Sequence, residues 1–255
     1  MGHCCEKNNI IIRNINFKNF FDKEPLDEII EISKDQNGKS KYIINFKPCS
    51  YQKIRLVVYH SDIIFSLISA SIEIINQGSY FPFIYNTDIE TAFKTKNLSQ
   101  LKGCVKGNIY TTICIPFNMI IDNINDNDII VKIVCISIYE ILSKYISDKM
   151  FLKYPNEILC NDKKIIGETT VENYKNYVLI VFVFNIVDKP SRDRIQNYEI
   201  EPCCLKEHMR HDTDIPNAMA ISIDVAKKIF YNLNLSGDDI FELYNKYKIK
   251  KNAKT

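Results

Sequence analysis

KYPNEILCNDKKIIGE, Lys153 to Glu168, packs two turns, a lysine pair and one of only seven glycines into one short stretch of a 255-residue chain. Met150 to Lys153 reads as a strand that enters a turn at Pro155-Asn156. Ile158 to Cys160 is a short strand, Asn161-Asp162 a hairpin turn and Lys164 to Gly167 the return strand. Alternation puts Lys164 and Ile166 on one face, with Lys163 and Ile165 on the other. An amine on a strand, beside a backbone that Gly167 leaves bare, suits a phosphate or a carboxylate. A surface hairpin with solvated lysines has the same pattern, and the residues alone leave both readings open.

Working outward, YVLIVFVFNIV (Tyr177 to Val187) falls short of the roughly 20 apolar residues of a membrane span and suits a buried strand. Before the hairpin, Val131, Val134, Cys135, Ile138, Ile141, Leu142 and Tyr145 mark one face of a helix over 131–147, after a loop at 121–129. Ile64, Leu67, Ile68, Ile72 and Ile75 make a second helical stripe over 61–77, with Ser61 or Asp62 as N-cap and Gly78 as stop. Strands are expected at 41–47, 54–59, 81–86 and 108–117. Pro25 to Ser33 suggests a short helix with Pro near its first turn. Residues 87–107 are polar, basic and irregular. Near the end a helix is expected over 217–234, and Ser236 to Asp239 resembles a capping box opening a last one.

The fold class that follows is α+β: a mixed, mostly antiparallel sheet, with the helices at 61–77 and 131–147 packed on one face. Residues 1–50 read as an N-terminal extension or extra strands, 51–248 as the main domain, and 249–255 as a disordered basic tail. The chain is 46% hydrophobic and 25% charged, with a formal charge of +2, which reads as soluble and globular and gives no case for a nucleic-acid partner. Its nine cysteines form no small-scaffold framework, so free thiols in a reducing, cytoplasmic setting are expected.

The hairpin resembles the central motif of biotin protein ligases: Lys-Trp-Pro-Asn-Asp, a short strand, a polar turn, then Lys-Lys-(Leu/Ile)-Ala-Gly. Here the residues are Lys153-Tyr154-Pro155-Asn156-Glu157, then Asn161-Asp162-Lys163-Lys164-Ile165-Ile166-Gly167. The likeness can be extended over residues 55–245 but is sharp only at 150–168. Lipoate ligases share the fold and the lysine but lack the Pro, so Lys-Tyr-Pro-Asn favours biotin.

The resemblance implies the biotin/lipoate ligase catalytic-domain fold and an ATP-dependent biotin–protein ligase. Biotin and ATP would form biotinyl-AMP, and a lysine on the acceptor (carboxyl-carrier) domain of a carboxylase would take the biotin. It implies that Lys164 spans the biotin carboxylate and the α-phosphate, with Lys153, Asn156, Glu157 and Gly167 around the nucleotide and Mg²⁺ on the phosphates. His60-Ser61-Asp62 partly matches the family's Ser-Thr-Asn, so Ser61 and Asp62 join the binding set. Asn108-Ile109-Tyr110 matches Asn-Leu-Tyr, and counting back puts the adenylate loop on Phe93 to Gly103, where Lys94 and Lys96 stand for its arginines. The Gly-Ile-Gly-Ile-Asn strand falls on Val181-Phe182-Val183-Phe184-Asn185, with Asn185 in the binding set and bulky residues at both glycines. Ala220-Ile221-Ser222-Ile223 fits Ala-Thr-Ser-Leu, and the small C-terminal barrel of many members is not expected here. The lost loop glycines reduce backbone approach to phosphate. A lipoate or octanoate ligase or transferase and a degenerate, non-catalytic member therefore remain as alternatives.

Two stretches stand apart. CCLKEHMRH (Cys203 to His211) has zinc-ligand residue types without C-x₂-C spacing and reads as a solvated loop. In MGHCCEK, Gly2 is a myristoylation candidate and Cys4 and Cys5 palmitoylation candidates, together a peripheral membrane tether, although Glu6 stands where the motif wants Ser or Thr.

Overall fold

The computed structural model describes residues 28–34, 39–46, 54–78, 81–90, 105–120, 126–161, 164–189, 201–210, 214–215 and 217–248. Its ten strands form one sheet in the order β1-β2-β3-β4-β5-β9-β8-β7-β6, with β10 beside β8. The strands are β1 (Glu28–Lys34), β2 (Ser40–Phe46), β3 (Ile54–Ile64), β4 (Phe83–Glu90), β5 (Ile109–Pro116), β6 (Met150–Lys153), β7 (Glu157–Cys160), β8 (Lys164–Tyr174), β9 (Tyr177–Phe184) and β10 (Glu201–Pro202). Among the described strands, β3–β4 and β8–β10 pair in parallel and the others antiparallel. The expected α+β, mostly antiparallel sheet is the observed one. No helix among the described residues is long and apolar enough to cross a membrane.

The central strands β5 and β9 are buried along their whole length. Period-two alternation divides β9 between two cores. Val178, Ile180, Phe182 and Phe184 pack under α2 (Asn127–Leu142), α3 (Ala218–Asn232) and α4 (Gly237–Tyr247). Tyr177, Leu179, Val181 and Val183 face the opposite side, with Leu67, Ile74 and Ile75 of α1 (Leu67–Asn76). The two helices expected on one face are therefore on opposite faces. A helical stripe says that a helix buries a side, not which side of the sheet receives it.

Local signals set several boundaries. Ser236 caps α4, accepting from Asp239 N–H at 3.1 Å while Asp239 returns a bond to the Ser236 backbone. Gly78 closes α1 at φ +86°, a left-handed backbone that glycine tolerates, and donates to the Ile75 carbonyl. The start of α1 lies later than expected: β3 runs on to Ile64 because β4 supplies parallel partners as far as Glu90, and Ser66 is the N-cap. Helix α2 begins at Asn127, capped by Asp126, inside the expected loop. The short helix expected at 25–33 is a strand from Glu28, since β2 offers antiparallel partners from Asn45 back to Ser40. An isolated short helix is marginal, whereas a ladder satisfies the backbone groups of both strands.

Candidate functional site

The quoted stretch folds as the β6-β7-β8 arm of the sheet. Lys153 pairs with Glu157, and Glu157 with Glu168. The pairing continues from Glu168 to Val183, Tyr110, Thr87 and Ser61. Directly paired residues share a face, and Val183 and Tyr110 belong to the α1 side, so one row crosses the sheet there. At about 4.8 Å per strand, Ser61 and Glu168 stand roughly 19 Å apart along it.

Lys153 Nζ meets Glu157 Oε2 at 2.7 Å. Glu168 is 2% exposed, and its Oε1 has no hydrogen-bond partner among the described residues. Burial first, and the Glu157 charge second, push its carboxyl up to about 8. At neutral pH the row thus holds one ion pair beside a protonated acid. Sequence reasoning did not single out Glu168. The signal was its cross-strand pairing with Glu157, which needs the register.

That register contains a bulge. Ile158 faces Gly167 and Leu159 faces Ile165, so Ile166 is an extra residue in β8. Lys164 lies beyond it, paired with Cys160 and with Glu201 of β10. Its charge reaches Asp148, where it adds to the stronger His208 bond in holding that carboxyl below its ordinary value. The fold thus gathers Lys153, Glu157 and Glu168 on the α1 side, and sets Lys164 farther along the same strand on the opposite, helix-covered face that its partner Cys160 shares. The bare backbone expected at Gly167 is absent. A Cβ there would stand 2.2 Å from Phe184 Cδ1 and 2.4 Å from the Val183 carbonyl, so the glycine makes room for a ring of the same chain.

Asn156 binds β8 at both ends: its amide donates to the Thr169 carbonyl, and its own carbonyl accepts from Thr169 N–H at 3.1 Å. Asn185 is buried, donates to the Cys203 carbonyl at 3.1 Å and accepts Leu205 N–H on its backbone carbonyl at 2.7 Å. Asn108 Oδ1 accepts from Ile186 and Val187 N–H at 2.8 and 3.0 Å. All three asparagines brace the segments around the row. Ser61 Oγ and the Tyr85 hydroxyl are 2.9 Å apart, while Asp62 points to solvent, 80% exposed. Under α3, Asn86 donates to Thr111 and Ser222, which closes the matching Ala220-Ile221-Ser222-Ile223 segment onto β4 and β5. Lys94, Lys96, Gly2, Cys4, Cys5 and the tail at 249–255 lie outside the described residues.

No family model matches the chain, and no curated protein matches it in sequence. Solved structures do match. Biotin protein ligase from Leishmania major, in complex with biotin, superposes with a TM-score of 0.60 at 17% identity, over 75% of this chain and 81% of that one. The Aquifex aeolicus biotin protein ligase in complex with biotin and ATP gives 0.58 at 14%, over 75% and 78%. Biotin acetyl coenzyme A carboxylase synthetase from Helicobacter pylori, with bound biotinylated ATP, gives 0.57 at 16%, over 73% and 78%. The chain therefore has the biotin/lipoate ligase catalytic-domain fold.

Proposed function

We propose that the chain is an ATP-dependent biotin–protein ligase. What carries the reading is the coincidence of two independent findings. The Lys153-to-Gly167 motif matches that family in order and spacing, and the arm bearing it belongs to a sheet of the same fold.

The biotin carboxylate attacks the α-phosphate of ATP and pyrophosphate leaves. The acceptor lysine, as free amine, then attacks the acyl carbon of biotinyl-AMP, AMP leaves, and an amide forms. Neither step needs a covalent enzyme nucleophile. The chain supplies positioning and charge. Lys164 holds the carboxylate oxygen against the α-phosphate. Lys94 and Lys96 cover the phosphates, Ser61 and Asp62 lie at the far end of the row, and Asn156 and Asn185 hold the backbone in place. Glu157 and, once a cation displaces the proton of that acid, Glu168 are the residues that would hold Mg²⁺, the Glu168 oxygen having no partner among the described residues, and the ion would screen phosphate charge. The acceptor is the carboxyl-carrier domain of a carboxylase, met in the cytoplasm or at a membrane face if Gly2, Cys4 and Cys5 are acylated.

Val181 and Val183, where the family carries glycines, fill the α1 side beside Glu168 and favour a second reading, a non-catalytic member. Thermal unfolding with ATP, Mg²⁺ and either biotin or lipoate separates the readings. Saturation at 100 times Kd adds about 2.7 kcal/mol, a rise of several degrees in Tm. Protection by biotin alone is expected. Protection by lipoate alone reassigns the acid, and protection by neither removes the ligase reading.

A further inference from the structure

The Cys203–His211 stretch, expected as a solvated loop, is buried at Cys203, Cys204, Leu205 and His208. Asn185 and Ile186 pin it by accepting Leu205 and Lys206 N–H, and Ser147 donates to the His208 carbonyl at 3.0 Å. A polar cluster forms beneath it, on the helix-covered side of the hairpin. An oxygen of Asp148, the Cys160 sulfur and a ring nitrogen of His208 lie within 4.8 Å of one another. The Cys203 thiol is hydrogen-bonded to that of Cys160, and both are 0% exposed.

The histidine decides what this cluster is for. His208 Nδ1 lies 2.6 Å from Asp148 Oδ2. An ionised carboxylate only accepts, so Nδ1 carries the proton. The other ring nitrogen, Nε2, is in a ring 8% exposed and has no hydrogen-bond partner among the described residues. A buried ring nitrogen without a partner is costly as it stands, and with the Cys160 sulfur and an Asp148 oxygen in the same cluster a borderline cation would satisfy it.

We propose that Asp148, Cys160 and His208 form a structural zinc site, with the Cys203 thiol hydrogen-bonded to Cys160 at its edge. A thiolate, an imidazole and a carboxylate select zinc over Mg²⁺ or Ca²⁺, with water in the fourth place. Binding displaces the Cys160 thiol proton to solvent and involves no redox change. The ion ties the end of β7 and the turn before β6 to the segment after β10. Cys160 is the cross-strand partner of Lys164, so the ion also fixes the strand that carries the motif lysine.

The full-length chain, purified under reducing conditions and passed over a desalting column, is expected to retain about one zinc per chain by elemental analysis. Cys160→Ser, His208→Ala and Asp148→Asn should each lower that occupancy at least tenfold. Cys114→Ser, a buried thiol outside the cluster, should leave occupancy unchanged. Because these variants can fail to fold, cobalt titration of the metal-stripped wild type is the second measurement, with a thiolate-to-cobalt charge-transfer band at one equivalent expected. Absence of both zinc and that band overturns the proposal, as does zinc retention equal in all variants.

Discussion

The two sides of β9 differ in what they tolerate. Towards α2, α3 and α4 its side chains enter a closed apolar core, in which the rings of Phe182 and Phe184 lie 5.8 Å apart. Towards α1, Val181 and Val183 share their surface with Glu168, Glu157, Thr87 and Ser61. One side is filled to the point where a methyl group has no room. The other keeps a buried carboxylic acid with an oxygen that has no partner among the described residues, a costly feature that packing alone would have removed. The contrast separates a closed core from a polar row on the opposite face, with Lys164 beyond the bulge on the core face beside its partner Cys160.

Gly167→Ala tests the filled side and should have the largest effect. The new Cβ would sit 2.2 Å from Phe184, so a loss of about 3 kcal/mol or more in urea unfolding is expected. Adding Phe184→Leu should recover part of it. Additive losses would mean that the ring is not what the glycine accommodates.

Glu168→Gln sharpens the other side. The Glu168 carboxyl is raised from 4.5 to about 8, so between those values the folded chain keeps a proton that the unfolded chain has lost. Stability therefore falls as pH rises through this window, by a contribution on the order of 5 kcal/mol, and the penalty is complete above the folded value. The glutamine variant should lose this slope, with its advantage reaching its maximum above pH 8. Parallel pH profiles for the two proteins would mean that the acid is hydrated rather than buried.

Ser236→Ala lies outside both sides. Loss of the cap should cost about 1 kcal/mol, without a change in the pH slope. A larger cost would tie α4 to the closed core more tightly than its single capping serine implies.

Much of this was legible in the chain. Pro155 and Asn161 mark the arm by short-range turn chemistry, and Ser236 to Asp239 marks a helix by its cap. What was hidden depends on partners distant in sequence. The strand at Glu28–Lys34 exists because β2 lies beside it. Gly167 makes room for Phe184, a residue on the next strand rather than a ligand. The Ile166 bulge, which sets Lys164 apart from Glu168, leaves no trace in a pattern of alternating residues. For the same reason Cys160 could not be joined in advance to His208, 48 positions later, in one cluster.

The most direct test of the central claim is pyrophosphate release from ATP and Mg²⁺, with biotin or lipoate, by wild type and by Lys164→Ala. Release with biotin alone, reduced at least 100-fold by the substitution, is the expected result, in line with the loss of one preorganised charge at the reacting phosphate. Silence with both acids from a folded wild-type chain would contradict the ligase assignment, and release that survives Lys164→Ala would contradict the role given to that lysine.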